Sequence, residues 1–128
     1  MMRGEKMLSF VKYEKLLESD YRRALDDIKR PDEIWKVFVE YAFKLLKMVK
    51  EDLPDKMKKE IRFVPSGKDE VFKLSDQLLD HLGELVEKSD LLAIINRMAS
   101  SALHRYKKLK SDNERTDLFR LGENVRAH

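Results

Sequence analysis

Apolar residues recur along most of this chain at steps of three and four, the period of a helix with one buried face. Phe10, Tyr13, Leu17, Tyr21, Ala24 and Ile28 share one such stripe and predict a helix over residues 9–29. Arg30-Pro31 closes it, and Pro31, Asp32 and Glu33 suit the first turn of the next. That second helix, over residues 31–53, is the most apolar. Ile34, Val37, Phe38, Tyr41, Ala42, Leu45, Met48 and Val49 fill one arc of it. Trp35, Val39 and Leu46 widen the arc to roughly 200°, beyond the stripe of an ordinary surface helix. Such a helix needs cover on more than one side. It is either central to the fold or faces another subunit.

Leu53-Pro54-Asp55 repeats the stop-and-start signal and predicts a short helix over residues 54–63. Residues 64–68 read as a loop. A fourth helix is expected over residues 68–88, with Val71, Leu74, Leu78, Leu82 and Leu85 inward and Gly83 inside it. Ser89-Asp90 is an N-cap signal for a fifth, running to residue 110 with Leu91, Ile94, Ile95, Met98, Ala102, Tyr106 and Leu109 inward. Ser111-Asp112-Asn113 predicts a stop, and a last short helix follows over residues 114–121, closed by Gly122. The expected fold is one all-α domain over residues 1–128. It is an antiparallel helical bundle of four long helices and two short ones, without a sheet, frayed at 1–8 and 123–128.

Composition narrows the class. A chain of 128 residues with 42% hydrophobic content has enough apolar surface for one core. Cysteine is absent, which excludes a disulfide framework and cysteine-ligated metals. No run is long enough to cross a membrane, and the first residues lack the apolar centre of a secretion signal, so a cytoplasmic protein is expected. Charged residues reach 40%, amide side chains are few, and this balance is favoured at high temperature, so a thermophilic source is expected. The net charge of +3 conceals local imbalance. Residues 66–90 hold seven acids and three bases, whereas residues 101–111 hold four bases and no acid.

Four groups of residues carry candidate chemistry. Arg97 and His104 lie two turns apart on one side of the fifth helix. An arginine followed, after six residues, by a histidine resembles the motif of HEPN-domain proteins. These are small helical bundles, many of them dimeric, metal-independent ribonucleases. The resemblance covers eight residues, with Met98 where a polar residue often follows the family's arginine. It implies that His104 acts on a ribose 2′-hydroxyl or leaving group while Arg97 holds the phosphate. A second group, Asp76, Asp80, Glu84 and Glu87, would stack on the fourth helix, but no facing set completes a metal centre, so none is expected.

The third group is basic. Lys56, Lys58, Lys59 and Arg62 surround the third helix, and Arg105, Lys107, Lys108 and Lys110 close the fifth. If these surfaces adjoin they suit phosphates, with Tyr106 placed to stack on a base. The fourth is the surplus apolar face of the second helix: Trp35, Val39, Phe43 and Leu46, residues of the kind found at interface cores. The leading expectation is thus a non-enzymatic interaction or assembly module, self-associating through the second helix. The alternative is a protein associated with RNA or DNA, with ribonuclease activity through Arg97 and His104 as its enzymatic form. No cofactor and no small-molecule ligand are expected.

Overall fold

The computed structural model of the chain describes residues 8–67 and 70–127, with side chains as far as Asn113. Helix dominates, but the arrangement departs from a four-helix bundle. Among the described residues three helices are long: α1 (Val11–Asp27), α2 (Ile34–Val49) and α5 (Leu91–Ala127). A 3₁₀ turn, Pro31–Glu33, leads into α2. Between α2 and α5 come a 3₁₀ segment (Asp55–Glu60), strands β1 (Ile61–Phe63) and β2 (Phe72–Leu74), and short helices α3 (Asp76–Leu82) and α4 (Leu85–Lys88).

The two strands pair antiparallel, with Ile61 opposite Leu74, Arg62 opposite Lys73 and Phe63 opposite Phe72. The expectation of no sheet is therefore corrected, as are the helices expected over 54–63 and 68–88. Ile61 and Phe63 turn toward the core while Arg62 is exposed, and Phe72 and Leu74 flank an exposed Lys73. This is the two-residue period of a strand. Over three residues it competes with helical steps such as Val71, Leu74 and Leu78, and pattern alone does not separate them. The connecting turn is fixed by Gly67, whose N–H donates to the Val64 carbonyl at 3.1 Å. A β-carbon there would stand 2.1 Å from the Glu70 carbonyl oxygen, so the turn admits only glycine.

The rest of the expected fourth helix is cut in two. Ser75 caps α3, its hydroxyl accepting from the Leu78 N–H at 3.2 Å. Gly83 ends it at φ 56°, a left-handed conformation open to glycine. The stop expected at Ser111-Asp112-Asn113 is also overruled. All three residues are exposed, so their side chains stay solvated while α5 continues to Ala127. The short helix expected at 114–121 and most of the tail expected to fray are absorbed into α5. Residues 1–7, Lys68, Asp69 and His128 lie outside the described residues.

α2 sits at the centre, packed against α1, α5 and β1. Tyr21 meets Tyr41 with ring centroids 5.4 Å apart, and Phe38 meets Phe63 at 5.6 Å and Phe72 at 6.2 Å. The hairpin therefore supplies cover that the wide apolar arc requires. Ile34, Phe38, Ala42, Leu45 and Leu46 are completely buried, alongside Leu78, Leu91, Ile94 and Ile95. The Tyr21 hydroxyl, inside this core, donates to the Met98 carbonyl at 2.6 Å, and burial pushes its pKa well above the ordinary phenol value.

Leu8, expected to fray, is instead bridged in parallel to Ser89. Its N–H donates to the Lys88 carbonyl at 2.8 Å, and its carbonyl accepts from the Asp90 N–H at 3.2 Å. The Asp90 carboxylate accepts from the Ser9 hydroxyl and the Phe10 N–H, each at 2.8 Å. The Asp90 carboxylate thus serves the start of α1, while at the start of α5 the Ser89 hydroxyl accepts from the Leu91 N–H at 3.1 Å and the Asp90 carbonyl accepts from the Ile94 N–H at 3.0 Å. Its desolvation raises the pKa, but the bonds from Phe10 and Ser9, its own N–H and the charge of Arg97 together lower it below the usual carboxylate value. A lowered folded pKa means stability that is complete above the unfolded pKa of about 3.9. That stability is lost as pH falls through the folded value. Asp90→Ala is expected to cost about 1–2 kcal/mol at neutral pH, read from urea midpoints. The variant's stability should also decline less steeply than the wild type's in the acid range below pH ~4.

Candidate nucleic-acid interface

Two groups that the sequence places far apart meet in one cleft. One wall is α2, which contributes Trp35 and, one turn on, Val39. The opposite wall is the 3₁₀ segment and β1, with Lys56, Lys58, Lys59, Arg62 and Phe63. The packing of Phe63 on Phe38 holds the hairpin in this position. Val39 is buried at the base, while Trp35 remains 49% exposed at the rim.

Ion pairing inside the cleft is selective. Lys58 donates to Glu40 at 2.5 Å, and that hydrogen bond holds the Glu40 carboxyl below its ordinary pKa. Asp55 is met by Lys47 at 3.4 Å. Among the described residues, Lys56, Lys59, Arg62 and Lys73 make no salt bridge. Lys56 and Lys59 lie three apart within a 3₁₀ segment, where such side chains eclipse at a rise of about 6 Å. Arg62 and Lys73 stand directly opposite each other across the hairpin, an arrangement that costs stability for like charges. Lys59, Arg62 and Lys73 line a second, adjoining depression together with one acid, Glu60. Lys73 is the member that sequence reasoning missed, since only the strand register places it beside Arg62.

The basic end of α5 is divided. Arg105 is not available to a ligand: its guanidinium donates to the carbonyls of Leu25 at 3.1 Å, Asp26 at 3.0 Å and Ile28 at 2.9 Å. These are two carbonyls of the last turn of α1 and that of its C-cap residue, so this arginine is a cap supplied from a distant helix, added to the bond that Leu25 accepts from the Ile28 N–H at 3.2 Å. Tyr106 is half-buried edge-on against Phe63, 6.2 Å between centroids, rather than free to stack on a base. Lys110 lies 6.0 Å from the Tyr106 ring, which carries positive charge toward the hairpin. Lys107 is exposed, and Lys108 lies on the α1 side, beside Arg22, Asp26 and His104.

Arg97 and His104 share the α1–α5 seam without forming one site. The Arg97 guanidinium grips Glu14 through two hydrogen bonds, of 2.9 and 2.7 Å. That contact, led by the hydrogen bonding, raises its pKa further. His104 is exposed in the adjoining groove with Ser101, Arg105 and Lys108. The arginine therefore ties α1 to α5, where the resemblance implies an open phosphate contact.

The apolar face offered for self-association is mostly internal. Val39, Phe43 and Leu46 are buried within the chain's own core at 6%, 9% and 0% exposure, and Trp35 alone stays outside. The acidic group fares likewise, because Gly83 assigns Asp76 and Asp80 to α3 and separates them from Glu84 and Glu87. Among the described residues no cluster of three or more histidine or carboxylate groups is disposed to hold a metal. Nor is any described helix long and apolar enough to cross a membrane. No family model, no curated protein and no solved structure matches the chain.

Proposed function

We propose that this protein is a non-enzymatic nucleic-acid-binding module whose contact surface is the Trp35 cleft and the outer face of the hairpin. The observation that carries this is a set of four cations that make no salt bridge among the described residues, Lys56, Lys59, Arg62 and Lys73. Two of them eclipse and two face each other across a ladder. Such cations repel one another in the free protein, and a polyanion relieves the repulsion. Asp55 is met by Lys47 and Glu40 by Lys58, whereas Glu60 shares the second depression with Lys59, Arg62 and Lys73 without a salt bridge to any of them among the described residues. A ribonuclease centre at Arg97 and His104 has less support, because the Arg97 guanidinium is engaged by Glu14. Self-association through α2 is likewise weakened by the burial of three of its four residues.

The test is salt dependence. Each phosphate contact to a single strand contributes a slope of about 0.7 in log affinity against log salt. Four contacts therefore predict that the dissociation constant rises with a slope of about 2–3, measured by anisotropy of a labelled oligonucleotide. A slope near zero, or no binding at low salt, would count against the proposal.

A further inference from the structure

We infer that the cleft takes single-stranded rather than duplex nucleic acid, with one unpaired base stacked on the Trp35 indole and adjacent phosphates held by Lys56, Lys59 and Arg62. This rests on the nucleic-acid reading of the same site and sharpens it. Trp35 is the sole tryptophan in the chain, and among the described residues it is the one exposed aromatic side chain. The large apolar residues exposed with it, Leu8 and Leu16, lie elsewhere, on the segment that enters α1 and on α1 itself. Among the described residues no second ring packs on the indole and no cation lies over it. About half of the Trp35 surface, 49%, thus reaches solvent without a ring or cation against it among the described residues, on the rim of the cleft that holds Lys56, Lys59 and Arg62.

Charge complementarity names the class of occupant, and the indole selects the form. A strand carrying negative charge matches Lys56, Lys59 and Arg62. The eclipsed pair, about 6 Å apart, lies on the scale of successive phosphates along one strand. Base–aromatic stacking tolerates any sequence because every base has a π-face. A base inside a duplex has both faces covered by its neighbours. It reaches an indole only after unstacking, at a cost that a single strand does not meet.

The single tryptophan makes the test direct. The full chain is titrated with fluorescein-labelled oligo(U) and with a labelled blunt-ended RNA duplex, recording indole emission and label anisotropy together. Oligo(U) is expected to quench the indole in step with the anisotropy rise, and the duplex is expected to bind more weakly without quenching. Trp35→Ala should weaken oligo(U) binding about tenfold with an unchanged salt slope, and Trp35→Phe should restore most of the loss. Salt-dependent binding of oligo(U) with constant indole emission would overturn the stacking inference and leave the nucleic-acid proposal standing. So would equal affinity for the duplex. Absence of binding in both channels at low salt, or equal affinity for polyglutamate, would overturn both.

Discussion

Exchanging Lys59 and Arg62 for glutamate is expected to lower nucleic-acid affinity by about a hundredfold at low salt while leaving the chain folded and slightly more stable. The loss follows because two of the four unpaired cations disappear and two acids then face the same phosphates. The gain follows from the register. Arg62 opposes Lys73, and Lys59 eclipses Lys56, so both exchanges turn a repulsive pair into an attractive one. Each such pair is worth a few tenths of a kcal/mol, up to about 1. Opposite signs for affinity and stability mark a surface kept for binding at the expense of the fold. Urea midpoints and oligonucleotide anisotropy on the same samples check both halves. A variant that lost stability along with affinity would point to a structural role for these side chains instead.

Phe38→Ala carries the largest expected effect on stability, a loss of about 3–5 kcal/mol. Phe38 has no exposed surface and touches the rings of both strands, Phe63 and Phe72. The cavity left behind is bounded by α2 on one side and the hairpin on the other. Collapse of the site therefore moves the hairpin, and with it Arg62 and Lys59 relative to Trp35. Affinity for oligo(U) should fall although Phe38 lines no part of the cleft. Phe38→Leu, which keeps much of the volume, should recover most of both losses. Equilibrium urea unfolding followed by far-ultraviolet circular dichroism measures the first effect, and anisotropy the second.

The long helices were legible because their stripes outlast any competing pattern. Tyr21 in α1, Phe38 and Leu45 in α2, and Ile94, Ile95 and Ala102 in α5 are buried at positions that the helical period selects. The hairpin was not legible. Each strand has three residues, and the leucines around Leu74 and Leu78 keep a helical spacing that continues into α3. The decisive signals were local: Gly67 where no β-carbon fits, Ser75 as a cap, and Gly83 as a stop.

The candidate site followed the same division. Trp35 and the lysines of residues 56–59 were each visible as unusual, one for excess apolar surface and the others for charge. Their meeting depends on the hairpin folding back on α2, a non-local event that no period records. Arg105 shows the converse. Its position in a basic run suggested phosphate, but its geometry makes it a cap, which only the approach of α1 reveals.

That cap also bears on how the protein is born. The carbonyls that end α1 are covered by a guanidinium 77 to 80 residues further along the chain. The segment entering α1 is bonded to Asp90 in the same long-range fashion. A ribosome must therefore release Asp90 before the start of α1 gains its bond to that carboxylate, and Arg105 before the end of α1 gains its guanidinium. The ends of the first long helix thus receive these contacts only from residues synthesised well after it.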